Sequence, residues 1–428
     1  MTGRPLKQIH LAAHFPGVNN TTVWTDPQSR SQIEFSSFRQ LAQTAERGLF
    51  DFFFLAEGLR LREVNGRIHD LDVVGRPESI TVLNALAAVT SRLGLAATVN
   101  ATFNEPYELA RRFASLDHLS GGRAAWNVVT SSDAFTGENF RRGGYLDKAD
   151  RYTRAAEFVE LAREFWDADG GEVRHTGQHF DVAGALSLPR SPQGHPVVIQ
   201  AGDSDEGREF AASAADVIFS RHGTLEAGQA FHADVKRRLA AYGRKPDELK
   251  IMPGVTYVLG DTDAEARERA TEIRRAQIGP RTALAFLEQV WGIDLSGHDP
   301  DGPLPTADPV VDSTLVQGRT SMGDPLAIAA KWRAAAREKN LTSREVVIEV
   351  TERQSFIGTA ATVAEQINTY VQNDAADGFI LAPHLTPGGL DDFVDHVVPL
   401  LQERGVFRTE YTGTTLREHL GLPAPGEN

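Results

Sequence analysis

The chain has 428 residues, with 44 Lys and Arg against 58 Asp and Glu, and a net charge of −14 near neutral pH. This acidic balance argues against a general binder of nucleic acids or anionic membranes, because both partners call for a basic surface. Cysteine is absent, which excludes a disulfide framework, a thiolate nucleophile, an iron–sulfur cluster and a cysteine zinc site.

Short apolar runs alternate with amphipathic stretches along the whole chain. The run 51–55 (DFFFL) is uniformly apolar, as expected of a parallel strand covered on both faces. In chain order, the sequence predicts strands over 7–15, 51–55, 93–99, 124–129, 196–200, 216–219, 250–258 and 378–381. It predicts helices over 35–48, 79–92, 150–166, 204–215, 225–242, 263–275, 363–370 and 390–401, and one capped by Asn104 that ends at Gly121-Gly122.

About eight β–α units in succession predict a (β/α)8 barrel formed by right-handed parallel crossovers. The turn-rich segments 168–195 and 279–345 are predicted insertions, and 408–428 is predicted to be an arm or poorly ordered. We therefore expect a single domain over 1–428. A doubly wound open sheet is the competing architecture, and periodicity alone does not exclude it.

Neither a signal peptide nor a membrane-spanning run of about 18 apolar residues is recognisable, so a cytoplasmic enzyme is expected. The signatures of P-loop, Rossmann, zincin and α/β-hydrolase sites are also missing. The histidines have no metal-ligand spacing, so no metal site is expected. Each of five is interpreted as structural unless it lies in a pocket: His10, His69, His118, His222 and His384.

In a barrel, functional residues gather at the carboxyl ends of the strands. Glu57 follows such a strand, either as a structural ion-pair partner of a rim arginine or as a group that positions a ligand. Asn100 and Thr102 either bind a ligand or cap local structure. Segment 200–207 reads as strand, glycine turn and helix start, where Ser204 either helps to bind an anion or only caps the helix.

Two blocks, GGRAAWNVVTSSDAFTGENF (121–140) and DRYTRAAEFVEL (150–161), resemble flavin-dependent monooxygenases of the bacterial luciferase-like superfamily. The similar branch contains the nitrilotriacetate, dibenzothiophene-sulfone and long-chain alkane monooxygenases. Segments 96–123, 198–220 and 357–381 show the same likeness, so it runs along about 400 residues in one order. The resemblance implies a luciferase-like (β/α)8 TIM barrel that uses O2 and assembles as a homodimer or homotetramer. It also implies reduced FMN (FMNH2) that diffuses from a separate NAD(P)H:FMN reductase.

The resemblance also assigns site residues. Family FMN contacts correspond to Glu57, Thr102, Tyr152 and Ser204. Two positions depart from the family pattern, since Glu57 stands where Asp is more usual and Lys148 where His is common. The complete set implied for the cofactor is Glu57, Asn100, Thr102, Asn127, Lys148, Tyr152, Gly202 and Ser204.

These residues divide by role. Ser204, Tyr152 and Lys148 would hold the phosphate, while Glu57, Asn100 and Thr102 would lie near the flavin ring. His14, Trp24 and insertion 279–345 would shape the substrate pocket, and the sequence does not identify an acid or base.

The function expected from the resemblance is insertion of one oxygen atom from O2 into a small organic substrate through a flavin C4a-(hydro)peroxide. An F420-dependent reductase or dehydrogenase on the same barrel is one alternative. A flavin-binding subunit that has lost turnover is the other. The sequence does not identify the substrate.

Overall fold

The computed structural model describes residues 5–16, 21–59, 63–64, 67–68, 77–131, 134–140, 150–311, 316–317, 323–352 and 355–425. Within these ranges, no helix is both long enough and apolar enough to span a membrane.

Eight parallel strands form a closed barrel, which confirms the predicted (β/α)8 fold. Each strand pairs with the next along the chain, and the last pairs with the first, with His10 opposite Gly378. This closure rules out the open doubly wound sheet. The barrel strands are β1 (His10–His14), β2 (Phe52–Leu55), β3 (Gly94–Asn100), β4 (Ala124–Val129), β5 (Val197–Gln200), β6 (Val217–Ser220), β7 (Lys250–Leu259) and β8 (Gly378–Leu381).

Helices surround the barrel and bury its outer face. Alternate residues of each strand face outward, and Trp126, for example, packs between Phe113 and Phe158 of the surrounding helices. The helices are α1 (Phe35–Arg47), α2 (Ser79–Ala87), α3 (Pro106–Ser120), α4 (Ala134–Gly137), α5 (Asp150–Asp167), α6 (Asp205–Ala214), α7 (Leu225–Leu239), α8 (Asp263–Gln277), α9 (Pro280–Trp291), α10 (Pro325–Lys339), α11 (Ser343–Val350), α12 (Ala360–Gln372), α13 (Asp391–His396), α14 (Val398–Glu403) and α15 (Leu416–His419).

The barrel interior holds a separate apolar cluster that includes Phe52, Phe54 and Met252. Leu416 and Leu420, from the end of the chain, belong to this same cluster. A Cβ at Gly94, the first residue of β3, would come within 2.6 Å of Leu416 Cδ1. The C-terminal arm, of which the structure describes residues 408–425, therefore packs against the barrel and covers its amino end.

Both predicted insertions contain regular structure. Segment 168–195 contributes an antiparallel hairpin of Glu172–Thr176 and Asp181–Ala185. Segment 279–345 contributes α9, α10 and the start of α11, which share an apolar core around Trp291 and Trp332. Further short strands lie outside the barrel: Glu63–Val64, Arg67–Ile68, Val316–Gln317 and Ser355–Gly358.

Three helices differ in detail from the predicted ones. Helix α2 ends at Ala87 rather than at residue 92. Asn104 does not cap α3, because its side chain donates to the Asn100 carbonyl at 2.6 Å and Glu105 takes the N-cap position. The closing helix is interrupted at Val397, giving α13 and α14. Pro399 lies in the first turn of α14, where it lacks the N–H that a continuous helix would need.

Candidate functional site

The carboxyl ends of β1–β8 meet at one rim of the barrel, and the predicted site residues lie on that side. His14 and Asn100 end β1 and β3, Asn127 lies within β4, and Glu57 follows β2 by two residues. Gly202 and Ser204 follow β5, at the start of α6. The fold thus places these residues at adjoining strand ends, as the strand-end rule predicts.

Tyr152, Gly202 and Ser204 meet at the start of α6. The Ser204 hydroxyl caps this helix by accepting from Gly207 N at 3.2 Å. A Cβ at Gly202 would lie 2.8 Å from Tyr152 Oη, and one at Gly207 would lie 3.0 Å from it. The absence of both side chains allows the tyrosine hydroxyl to approach the helix N-terminus, where backbone N–H groups favour an anion.

We call the group of Tyr152, Gly202 and Ser204 the cradle. The side chains of Arg151 and Gln200, which sequence reasoning missed, lie close to it. The Arg151 guanidinium carbon lies 4.8 Å from the centroid of the Tyr152 ring. Gln200, the last residue of β5, is 3% exposed, and its Oε1 accepts no hydrogen bond from the described residues. Lys148, the predicted phosphate-side cation, lies outside the described residues. The hydroxyls, the helix N-terminus and a nearby arginine form a donor set that fits a phosphate.

Asn100 builds the loop between β3 and α3. Its Oδ1 accepts from Thr102 N at 2.6 Å and from Phe103 N at 3.2 Å, while its Nδ2 donates to the Ser131 carbonyl at 3.2 Å. Thr102 itself is 2% exposed. These contacts support the capping alternative for Asn100, because most of its hydrogen-bonding capacity is already used.

Glu57 lies close to the start of α2. Ser79 Oγ is 3.1 Å from Glu57 Oε2 and 3.0 Å from the Thr98 carbonyl, so the single hydroxyl hydrogen serves one of them at a time. The Glu57 side chain is half-buried at the rim. The Glu57 carboxylate therefore contacts the first residue of α2.

An aromatic layer lies inside the barrel beneath the rim. The Phe54 ring stacks on Phe219 with centroids 5.5 Å apart and lies 5.6 Å from the His14 ring. Above it, Asn127 Nδ2 donates to Thr98 Oγ1 at 3.0 Å, and both residues are buried. Sequence reasoning missed Phe54, Phe219 and Thr98, although their inward register follows from strand alternation.

Trp24 lies in the loop after β1, which runs along the loop after β8. Val23 N donates to the His384 carbonyl at 2.8 Å. Gln277, the last residue of α8, donates from its Nε2 to the Thr21 carbonyl. The loop is thus tied to the helix that precedes the second insertion. The indole N–H of Trp24 is buried and finds no acceptor among the described residues.

The described residues contain no group of three or more His, Asp or Glu side chains that could hold a metal ion. His384 meets the exception made for a histidine that lies in a pocket, because it lines a cavity next to the loop after β1. Its burial and the charge of Arg269 lower its pKa to about 4, so the imidazole is neutral near pH 7.

Comparisons with known proteins show the family to which the chain belongs. Residues 17–403 match the family model described as luciferase-like monooxygenase. The chain is 40% identical to N-acetyl-S-(2-succino)cysteine monooxygenase of Bacillus subtilis (strain 168), over 98% of each chain. It is also 40% identical to nitrilotriacetate monooxygenase component A of Aminobacter aminovorans, covering 93% of this chain and 92% of the relative. A riboflavin lyase structure with modified FMN and riboflavin superposes with a TM-score of 0.80 at 30% identity, covering 98% and 97% of the two chains. The chain is therefore a monooxygenase of the luciferase-like family.

Proposed function

We propose that the protein is an FMNH2-dependent monooxygenase that inserts one atom of O2 into a small organic substrate. The observation that carries this proposal is the cradle of Tyr152, Gly202 and Ser204 at the start of α6, whose donors fit the phosphate of FMN. Two comparisons support it further. The solved riboflavin lyase contains a modified FMN, and the Aminobacter relative is named as one component of its system.

Bound reduced FMN would supply the activation of O2, and the side chains of this chain would bind and enclose it. Ser204 and Tyr152 would donate to the phosphate, helped by the N-terminus of α6. Phe54 and Phe219 would provide an apolar surface beneath the rim that excludes water. Glu57, Thr102 and Asn127 would lie on the ring side, and His14 and Trp24 on the substrate side.

A separate NAD(P)H:FMN reductase would provide FMNH2 by diffusion, since the chain has no nicotinamide-binding fingerprint of its own. We further propose a cytoplasmic homodimer or homotetramer, which light scattering coupled to size-exclusion chromatography would measure. A substrate screen that supplies FMNH2 from a generic reductase and detects oxygenated products by mass tests the proposed reaction.

The two alternatives differ in measurable ways. An F420-dependent enzyme would transfer hydride without consuming O2, and a non-catalytic flavin-binding subunit would form no oxygenated product. The 40% identity to two named monooxygenases supports oxygenation over both.

The isolated chain is expected to be nearly colourless and to bind reduced FMN without oxidising NADH. The physical reason is that a diffusing co-substrate has to bind and leave in each turnover. Absorbance of the purified protein and NADH oxidation with and without an added reductase test this. NADH oxidation by the chain alone at the turnover rate would overturn the two-component proposal.

Glu57→Gln is expected to raise the hydrogen peroxide released per substrate oxidised. If Glu57 positions the flavin, its loss lets reduced flavin react with O2 unproductively. Glu108→Gln, an exposed carboxylate paired with Arg111 on α3, is the control and should leave the ratio unchanged. An unchanged peroxide ratio together with a lower Tm would identify Glu57 as a structural group.

A further inference from the structure

A cavity of about 460 Å3 lies outside the barrel, between the loop after β1, the outer half of β7 and the loop after β8. This volume falls in the range of small-molecule sites. Tyr257 and His384 line it together with four charged side chains: Arg30, Arg269, Asp391 and Asp392. The residues predicted to contact FMN are not among those that line it.

One polar atom of a residue that lines this cavity has no protein partner. His384 Nδ1 is buried and has no hydrogen-bond partner among the described residues. Tyr257 differs, because its hydroxyl donates to the Gly389 carbonyl and therefore supports the wall.

Only some of the charged side chains that line the cavity form ion pairs within the protein. Asp391 already has protein partners, since its Oδ1 accepts a hydrogen bond from Thr44 Oγ1 at 2.8 Å and lies 3.4 Å from Arg47 Nη2. By contrast, neither arginine of the lining nor Asp392 forms an ion pair with another described residue. Among the described residues, Arg269 donates one hydrogen bond, to the Leu259 carbonyl at 3.2 Å. Two guanidinium groups and one carboxylate thus face a ligand-sized space together.

We propose that this cavity binds an aminocarboxylate, a small molecule that carries carboxylates and a protonated amine. Arg30 and Arg269 receive the carboxylates, for which the planar guanidinium fork is suited. Asp392 receives the ammonium group. This site goes beyond the proposed function, and its occupation does not require flavin.

Calorimetric titration of the flavin-free protein tests the proposal with two matched probes. Iminodiacetate carries two carboxylates and an amine, and glutarate replaces that amine by a methylene in a chain of the same length. Iminodiacetate is expected to bind with a Kd of about 1 mM or tighter, and glutarate at least about 10-fold more weakly. Arg269→Gln should weaken both probes by about 10-fold, and Asp392→Asn should abolish the preference for iminodiacetate.

Arg237→Gln is the control, because its side chain is 76% exposed and pairs with Asp234 on the surface. It should leave both titrations unchanged, and thermal melts should show that all variants remain folded. Three results would overturn the proposal: no binding of iminodiacetate, equal binding of glutarate, or affinities that neither lining variant alters. Since flavin is absent, each of these outcomes leaves the proposed oxygenation to its own assay.

Discussion

Replacing Arg408 by Ala is expected to lower the free energy of unfolding by about 3–5 kcal/mol, because the change leaves a buried carboxylate without its cation. Asp51 has no exposed surface, and Arg408 Nη2 lies 2.5 Å from its Oδ1. Arg408 also donates to the His419 carbonyl at 2.9 Å, which fixes the turn of the C-terminal arm. The substitution therefore removes an ion pair and loosens the cover over the amino end of the barrel.

The pH dependence of this pair follows from the pKa of Asp51. Burial alone would raise this pKa, but Arg408, His10 and the Leu11 N–H together lower it to about 2. A carboxyl whose folded pKa lies below its unfolded value of about 3.9 stabilises the fold above that unfolded value. The stabilisation is lost as pH falls through about 2. In Arg408→Ala the remaining contacts hold the pKa less strongly, so the loss of stability begins at a higher pH.

Urea unfolding followed by tryptophan fluorescence measures the effect. Arg237→Ala, an exposed arginine in a surface pair, is the control and should change stability by at most about 1 kcal/mol. Adding Asp51→Asn to Arg408→Ala should recover part of the loss, since the unpaired charge is then removed. A loss below about 1 kcal/mol for Arg408→Ala would show that the arm does not stabilise the barrel.

Asp51 belongs to a recurring arrangement at the amino end of the barrel. An aspartate stands directly before β2, β6 and β8, and each accepts a backbone N–H from the strand that precedes it in the barrel. The pairs are Asp51 with Leu11 at 2.9 Å, Asp216 with Val198 at 2.8 Å and Asp377 with Ile251 at 2.8 Å. The C-terminal arm forms ion pairs with two of these three aspartates. Arg417 pairs with Asp216 at 3.2 Å, and Arg408 pairs with Asp51.

These aspartates also show how far the sequence predicts the fold. The order of strands and helices was predictable, because parallel strands buried on both faces read as apolar runs such as 52–55. The predictions that placed Asp51 and Asp216 inside strands were wrong, since their carboxylates cap the neighbouring strand instead. The contact of Arg408 with Asp51 spans 357 positions, and no local pattern indicates it.

The candidate site also contains residues that the sequence predicted and residues that it did not. The strand-end rule placed Glu57, Asn100 and Ser204 at one rim, because that rule depends only on the order of strands. It did not identify Arg151 or Gln200, whose proximity to the cradle depends on how α5 packs beside α6. A helical arginine and a strand-end glutamine are common in any barrel, so the sequence offered no signal for them.

Ser204→Ala is expected to weaken FMN binding by about 10- to 100-fold, which corresponds to about 1.5–3 kcal/mol for one hydrogen bond to a charged phosphate. The Ser204 oxygen accepts from Gly207 N at 3.2 Å, and a hydroxyl that accepts can still donate its own hydrogen. The variant therefore loses a cap and a phosphate donor together. Anaerobic titration with FMNH2, monitored by flavin fluorescence, measures the affinity.

Two comparisons separate the cap from the phosphate contact. Thr262→Ala removes the equivalent cap of α8, where Thr262 Oγ1 accepts from Glu265 N at 3.2 Å, and should cost stability without changing FMN affinity. Reduced riboflavin lacks the phosphate, so Ser204→Ala should weaken FMN binding far more than riboflavin binding. An unchanged Kd for FMN would reduce Ser204 to an ordinary helix cap. Equal losses for the two flavins would move its contact from the phosphate to another part of the cofactor, because only FMN carries the group that the cradle of Tyr152 and Gly202 is proposed to hold.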